Sequence, residues 1–289
     1  MDHWDNYWQY SQQTVNDDAW NRSANASWAA LKGAIEPHWR CLDLACGNGH
    51  LIQLLSPAGA SWVGTDLARI SPPAGIEFHA RVPLQKQPFE NAQFDLVVSQ
   101  FGIEYGPRPD TFDEALRVLK PGGQFQFLMH HRHSTISRAL EAENRDIEHL
   151  KSGQLSDAVE ALIAVLARQD LARTDPAIVA AVESVKAALA AISQTASAGF
   201  VGYLNQGIDH VVNRMGQQSV EQKVDVWRKG LDALWQCHQR NKDQLDAALD
   251  AEAADAIVSQ IGASTSHIEC RLVKAEGAAM GWCLQGTKA

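Results

Sequence analysis

The residues best placed to do chemistry form a short phrase in which one apolar run ends at two glycines and a second ends at an acid. The first run, 41–44, leads to Gly47 and Gly49, and the second, 62–65, leads to Asp66. Glycine adopts backbone angles that a Cβ forbids, so a ligand can lie against the main chain there. A carboxylate at the tip of the neighbouring strand can accept hydrogen bonds from a ribose diol. The spacing predicts a nucleotide-binding strand–turn–helix–strand unit.

Two common nucleotide sites disagree with this phrase. A dinucleotide site needs a third small residue after the two glycines, and Ile52 stands at that position. A phosphate-binding loop needs the pattern G-x-x-x-x-G-K-[ST], which does not occur in the sequence. The phrase therefore argues against NAD or FAD and against a nucleotide held by that loop.

The phrase at 42–49, Leu-Asp-Leu-Ala-Cys-Gly-Asn-Gly, resembles motif I of the class I S-adenosylmethionine (SAM) methyltransferases. Ala45 stands where many members of that family have a first glycine. The resemblance implies that Asp43 and the glycine turn receive the amino-acid end of SAM, and that Asp66 binds its ribose. SAM is thus the expected cofactor and S-adenosylhomocysteine its product.

Two later phrases resemble the same family. Residues 94–99, Phe-Asp-Leu-Val-Val-Ser, match its fourth strand, and residues 117–123, Arg-Val-Leu-Lys-Pro-Gly-Gly, match the turn before its fifth. The apolar run within 94–99 is typical of a strand buried on both faces. Its C-terminal end is expected to lie beside the cofactor. The cofactor-binding residues implied are Asp43, Ala45, Gly47, Gly49, Asp66, Leu67, Ser99, Gln100 and Phe101.

Five strand signals with helices between them in the first 133 residues, and two strand signals near residue 280, predict an α/β fold. With the resemblance, we expect a Rossmann-like, doubly wound, seven-stranded and mostly parallel sheet. Residues 39–133 and 262–289 would form the SAM-binding core, and 1–38 an N-terminal helical cap. Residues 134–261 would be an all-helical insertion between strands 5 and 6 that serves as lid and substrate region. A turn is predicted at 71–75.

The expected insertion is rich in alanine and has almost no strand signal. An apolar stripe from Val220 to Leu234 recurs at helical spacing and predicts a core face, or alternatively a surface for a partner helix. A homodimer formed through the insertion is therefore one possible partner arrangement. The predicted helices are 135–150, 156–172, 176–196, 200–215, 220–240 and about 242–261.

Trp4, Tyr7 and Trp8 fall at i, i+3 and i+4 and so share one helical face. The simpler interpretation is a helix held on the core by large side chains. The alternative is a lid over cofactor or substrate, whose rings stack on adenine or surround a cation. Trp4, Trp8 and Tyr105 are the candidate substrate-binding residues.

His130, His131, His133 and Glu104 are the candidate catalytic residues, because ligands bind beyond the C-terminal strand ends and a neutral methyl acceptor must lose a proton. The histidines could instead cap the sheet edge or the next helix. Together with Glu104 they could also ligate a metal. Because adjacent strand residues point to opposite faces, His130 and His131 cannot easily share one ion, and we expect no metal.

The charge and composition argue against several classes of binding partner. The net charge is −9 and no Lys/Arg run is present, which disfavours nucleic acid and anionic membranes. After the fourth strand, Ser99-Gln100-Phe101-Gly102 replaces the Asp/Asn-Pro-Pro-aromatic motif expected of methyltransferases that modify amino groups of nucleic acids. Five cysteines without a C-x-x-C pair argue against zinc or a disulfide frame.

The N-terminus is polar and aromatic rather than signal-like, and no stretch of about 18 apolar residues stands out, so we expect no membrane partner and a cytoplasmic protein. The expected function is SAM-dependent transfer of a methyl group to an oxygen or nitrogen atom of a small-molecule metabolite. One alternative is an enzyme of the same fold that uses another part of the cofactor. Another is a non-catalytic protein that binds SAM or a partner.

Overall fold

A sheet of seven strands organises the fold of the described residues, which in this computed structural model are 2–10, 18–56, 59–70, 75–168, 170, 172 and 174–289. The order across the sheet is third, second, first, fourth, fifth, seventh, sixth. The first five pair in parallel, and the seventh runs antiparallel to both neighbours. This confirms the predicted fold class. The strands are β1 Arg40–Leu44, β2 Ser61–Asp66, β3 Glu77–Ala80, β4 Phe94–Gln100, β5 Leu119–His130, β6 Thr265–Ala275 and β7 Ala278–Lys288.

The central strands are buried on both faces, as their unbroken apolar runs predict. Leu42 and Leu44 in β1, and Leu96 and Val97 in β4, have no exposed surface. The chain leaves β1 toward β2 on one side and later enters β4 on the other side of β1. In open parallel sheets, the crevice for ligands lies at the carboxyl ends of two such strands. The fold therefore places the candidate site beyond Leu44 and Gln100.

Helices connect the strands. Short 3₁₀ turns occupy Ile103–Tyr105 and His149–Ser152, and one π turn occupies His210–Arg214. The α-helices are α1 Asp2–Tyr10, α2 Asp18–Ser27, α3 Ala29–Ala34, α4 His50–Leu55, α5 Asp110–Val118, α6 Thr135–Glu148, α7 Gln154–Leu166, α8 Pro176–Ser193, α9 Ala198–Asp209, α10 Val220–Ala247 and α11 Ala251–Gly262.

The chain divides into two compact units, one of residues 1–138 with 243–289 and the other of residues 139–242. The second unit is helical and has its own apolar core, in which Val159 and Leu204 are almost fully buried. The apolar stripe of α10 packs into this core, which confirms the simpler of its two interpretations.

By length and composition, α8 could cross a membrane, because an 18-residue window reaches a mean hydropathy of 1.5. The expectation that no stretch of this length is apolar enough is therefore wrong. The helix also carries Glu183 and Lys186, which form an ion pair of 2.8 Å on its exposed side. Its other side buries Val185 and Ile192 in the helical core.

The Pro-Gly-Gly segment was expected to form a turn after a helix end. The helix does end there, at Val118, but the segment lies within β5, because β4 pairs with Leu119 before it and, after a register shift, with Gln124 after it. One predicted boundary is wrong. In α10, helix continues past Asn241, where a break was predicted. The predicted turn at 71–75, apart from Gly75, and part of the predicted helix end near 172 lie outside the described residues.

Candidate functional site

A small cleft opens at the carboxyl ends of β1 and β4. Four of the predicted cofactor residues border it, together with the predicted substrate residue Trp8. The lining residues are Trp8, Asp43, Ala45, Cys46, Asn48, His50, Leu51, Gln100 and Phe101.

Both loops that border the cleft contain a non-glycine residue in the left-handed region. Ala45, which follows β1, has a φ of 53°, and Phe101, which follows β4, has a φ of 54°. Such a conformation costs roughly 1–2 kcal/mol per residue, and strain of this kind clusters at functional sites. The loops also touch, since a Cβ added at Gly102 would lie 2.6 Å from the Ala45 side chain. Ala45 therefore performs the turn for which the family more often uses glycine.

Asp66 connects the end of β2 to the glycine turn. Its carboxylate accepts hydrogen bonds from the backbone N–H of Gly47 at 2.9 Å and of Ala68 at 2.8 Å. Burial raises the pKa of Asp66, although the backbone bonds oppose the shift. The carboxylate therefore shapes the turn, and its assignment to a ribose stays a prediction. The adjacent Leu67 is 40% exposed.

Asp43 lies at the cleft with an unsatisfied carboxylate. Its exposed fraction is 1%, and neither oxygen has a hydrogen-bond partner within the described part of the chain. Burial, and secondarily the charge of Asp66, raise the pKa of Asp43 well above its usual value. A buried carboxylate without a partner is costly and favours a cationic ligand. The α-ammonium group of SAM fits this requirement, so the residues present are compatible with that cofactor.

The helix α1 lies over the glycine turn at the edge of the cleft. The Trp8 indole covers the glycine turn, because a Cβ added at Gly47 would lie 2.6 Å from that ring. The Trp8 carbonyl accepts a hydrogen bond from the Asn48 side chain at 2.9 Å. Asp5 accepts one from the Arg69 backbone N–H at 2.7 Å and pairs with the Arg81 guanidinium. The predicted substrate residue Trp8 is thus a wall of the cofactor cleft.

The same helix reaches the side of β5. The Trp4 indole N–H donates to Asp243 at 2.9 Å, and the ring meets Tyr105 edge-on with centroids 5.7 Å apart. Burial raises the pKa of Tyr105 well above its usual value, and the charges of Glu104, Asp243 and Tyr7 add to the shift. Trp4 and Tyr105 therefore lie together, and the Tyr105 ring in turn lies 6.1 Å from the ring of His130, the last residue of β5.

That histidine, His130, forms a buried pair with Glu104. One Glu104 carboxylate oxygen lies 2.8 Å from the His130 backbone N and 2.7 Å from its Nδ1. The two side chains are 0% and 3% exposed. Because an ionised carboxylate only accepts, Nδ1 carries the proton of this bond, and in the neutral ring Nε2 would have the free lone pair. The His130 ring lies 4.5 Å from the Phe101 ring, which borders the cleft, and Nε2 has no partner among the residues described.

The other two candidate histidines lie elsewhere. The His131 ring stacks on Trp282 at 5.3 Å, and its Nδ1 accepts from the His133 backbone N–H at 3.0 Å. Burial and the neighbouring His133 lower the pKa of His131. Within the described ranges, no group of three or more His, Cys, Asp or Glu side chains is arranged to hold a metal ion.

Several site residues escaped the sequence prediction. Cys46 and Asn48 stand within the recognised phrase, which was a usable signal for both. Trp28, which contacts Gln100, and Asp5, which reaches Arg69, stand far away in the sequence, and no local pattern links them.

Ionisation of buried Asp43 should destabilise the wild-type protein as the pH rises, and we expect Asp43→Asn to remove this loss. An unfolded aspartate titrates near about 4, whereas burial raises the pKa of Asp43 in the folded protein. Between these values the folded chain holds a proton that the unfolded chain has released, so this stability is lost as pH rises through the folded-state pKa. The difference in unfolding free energy between the variant and the wild type should shift in favour of the variant by about 1–3 kcal/mol from about pH 5 to about pH 8. Denaturant titrations at both pH values measure the difference.

Asp95→Asn is the matched control with the opposite sign. Burial opposes ionisation of Asp95, but the Arg40 backbone N–H and Lys120 together lower its pKa. Stability linked to Asp95 is therefore present above the unfolded pKa and is lost as pH falls. This control should lose stability at about pH 8. An Asp43→Asn protein whose stability follows the wild-type pH dependence would contradict the assigned burial effect.

Comparison with known proteins agrees with the geometry. Residues 42–127 match a family described as a methyltransferase domain. A sterol 4-C-methyltransferase from Caenorhabditis elegans is 33% identical over 108 residues, which cover 33% of this chain and 32% of the relative. A demethylmenaquinone methyltransferase from Clavibacter sepedonicus is 32% identical over 119 residues, with shares of 38% and 46%.

A ubiquinone biosynthesis O-methyltransferase from Bordetella avium is 33% identical over 104 residues, which cover 32% of this chain and 43% of the relative. The chain thus spans a third to a half of the length of these three relatives. The matched residues 42–127 contain β2, β3 and β4, parts of β1 and β5, and the cleft residues that follow β1 and β4. With the family match over residues 42–127, the strand order and the cleft, this part of the chain is a methyltransferase domain of the class I S-adenosylmethionine-dependent type.

Proposed function

We propose that this protein is a SAM-dependent methyltransferase that moves a methyl group to an oxygen or nitrogen atom of a small-molecule metabolite. The observation that carries the proposal is the buried His130–Glu104 pair, which Phe101 joins to the cofactor cleft. A proton acceptor beside a cofactor site is the arrangement that methylation of a protonated acceptor requires.

Asp43 would hold the ammonium group of the cofactor, and Asp66 would receive its ribose while it shapes the Gly47 turn. When bound, SAM supplies an electrophilic methyl carbon on a sulfonium. The protein's own contribution is to align the acceptor with that carbon, to exclude water and to remove a proton. Trp8 covers the glycine turn and so contributes to the exclusion of water.

His130 Nε2 would accept the proton from the acceptor group. Glu104 holds the ring with its proton on Nδ1 and stabilises the imidazolium that forms, as the carboxylate does in a serine hydrolase triad. The aromatic neighbours Phe101 and Tyr105 lie 4.5 Å and 6.1 Å from the His130 ring. An acceptor bound there would meet an apolar, aromatic surface, which favours a flat organic molecule.

The relatives' names support a small-molecule acceptor, since they refer to a sterol, a menaquinone precursor and ubiquinone synthesis. A net charge of −9 also disfavours a polyanionic substrate such as nucleic acid. One relative is named for methylation at a carbon atom. We propose oxygen or nitrogen for this protein because O–H and N–H acceptors need a base to remove their proton.

Calorimetry with S-adenosylhomocysteine and turnover assays with SAM test the proposal. We expect micromolar binding, and release of S-adenosylhomocysteine with at least one member of a panel of phenols, quinols and amines. Another adenosyl product would favour an enzyme that uses a different part of the cofactor. Binding without turnover on any class of acceptor would favour a non-catalytic role, and absence of binding would refute the proposal.

A further inference from the structure

Trp28, which no motif singled out, donates its indole N–H to the side-chain oxygen of Gln100 at 2.6 Å. We infer that Trp28 is a positioning residue that turns the Gln100 amide so that its NH₂ group donates to the carboxylate of the cofactor's amino-acid end. This inference rests on the proposed function. It assigns the carboxylate of the cofactor's amino-acid end to Gln100 on β4 and the ammonium to Asp43 on β1.

The direction of the Gln100 amide follows from chemistry. An indole N–H can only donate, so the Gln100 atom 2.6 Å from it must be the carbonyl oxygen Oε1. Oxygen and nitrogen branch from the same carbon, so Nε2 faces away from Trp28. That nitrogen has no hydrogen-bond partner in the described part of the chain. Gln100 borders the cleft, which therefore receives an unused pair of N–H donors.

Asp43 presents the complementary group. It borders the same cleft, and its carboxylate is an acceptor without a partner among the residues described. The cleft thus offers N–H donors from β4 and a carboxylate from β1. An α-amino acid carries a carboxylate and an ammonium on one carbon, and these two groups match that pair. The recognised feature is the zwitterion, which the nucleoside part of the cofactor lacks.

The Trp28 side chain is fixed in position, as a positioning residue requires. Its side chain has no exposed surface, and it lies at the junction of α2 and α3. The preceding residue, Ser27, is fixed by two bonds, since its carbonyl accepts from the buried Gln126 amide at 3.0 Å and its hydroxyl donates to Ala24 at 2.6 Å. The indole therefore cannot follow Gln100 if that amide turns.

The bond is not simply a requirement of the core. Trp62 belongs to the same apolar cluster, and its buried indole N–H has no partner within the described residues. The fold thus tolerates one indole without an acceptor in this cluster. Trp62 also supplies a matched control, because Trp→Phe removes the same atoms at both positions.

The test compares two ligands. S-adenosylhomocysteine carries the amino-acid end, whereas 5′-methylthioadenosine carries the nucleoside and sulfur without it. We expect Trp28→Phe to weaken S-adenosylhomocysteine binding about threefold to tenfold, because the amide is then free to turn. Binding of 5′-methylthioadenosine should stay within about twofold. Trp62→Phe should change neither affinity by more than about twofold. Calorimetry on the full chain measures all six affinities.

Gln100→Glu provides a second variant that preserves the core. The new carboxylate still accepts the Trp28 N–H, but an oxygen replaces the donating NH₂. We expect S-adenosylhomocysteine binding to fall more than about tenfold with 5′-methylthioadenosine unaffected. Equal loss for both ligands, or no loss for either, would overturn the inference. Failure of the proposed function would show instead in the wild-type protein, as absence of binding to both ligands.

Discussion

His130→Asn is expected to lower kcat about 10²- to 10⁴-fold while S-adenosylhomocysteine affinity stays within about twofold. Asparagine retains a side-chain N–H that can bond to Glu104, but it has no basic nitrogen to accept a proton. The ring does not border the cofactor cleft, so cofactor binding should persist. Release of S-adenosylhomocysteine, measured with an acceptor identified in the turnover screen, gives kcat, and calorimetry gives the affinity.

The other histidines serve as matched controls. His131 stacks on Trp282 and bonds to His133, so His131→Asn should retain kcat within about threefold. Glu104→Gln should lie between the two, because an amide can still accept from Nδ1 but does not stabilise the imidazolium by charge. Loss of turnover in His131→Asn together with near-normal turnover in His130→Asn would transfer the role of base to the other face of β5.

Asp66→Ala should weaken S-adenosylhomocysteine binding about 100-fold and lower the unfolding free energy by about 2–4 kcal/mol. The buried carboxylate accepts from two backbone amides, those of Gly47 and Ala68, and both would lose their acceptor. The predicted bonds to the ribose would also be lost. The change therefore affects both the shape of the turn and the ligand contact. Calorimetry and denaturant titration measure the two effects separately.

A matched carboxylate outside the cleft isolates the ligand contribution. Asp250 precedes α11 and accepts from the Ala253 backbone N–H at 2.9 Å. Asp250→Ala should lower stability through loss of this helix cap and leave S-adenosylhomocysteine affinity unchanged. If Asp66→Ala kept wild-type affinity, Asp66 would be a structural residue of the turn with no part in cofactor binding.

The sequence was most informative where a motif and a buried strand coincide. The runs that became β1, β2 and β4 are apolar on both faces, so these strands could be predicted, and the resemblance implied the mostly parallel sheet. The cleft position of Asp43 and Gln100 followed from the same resemblance, because both residues stand at strand ends. Their roles as cofactor ligands, like the homodimer and the lid, stay predictions.

Contacts made by residues distant in sequence could not be predicted. Nothing around Trp8 indicates that its ring lies against Gly47, and nothing around Trp28 indicates a bond to Gln100. The aromatic spacing in α1 predicted a shared face and left two surfaces open, the core or the cofactor and substrate. At Pro121 the local signal predicted the helix end, but the expected turn lies within a strand, because β4 pairs on both sides of it.

The position of β7 has a consequence for biosynthesis. Gln124 pairs with Thr287 and His130 with Gly281, so the outer neighbour of β5 is translated only after the helical unit and β6. Until then β5 offers an open edge to other chains, and closing so long a loop is slow. Because His130 is the last residue of β5, the proposed base becomes fixed in place only when synthesis of the sheet is nearly complete.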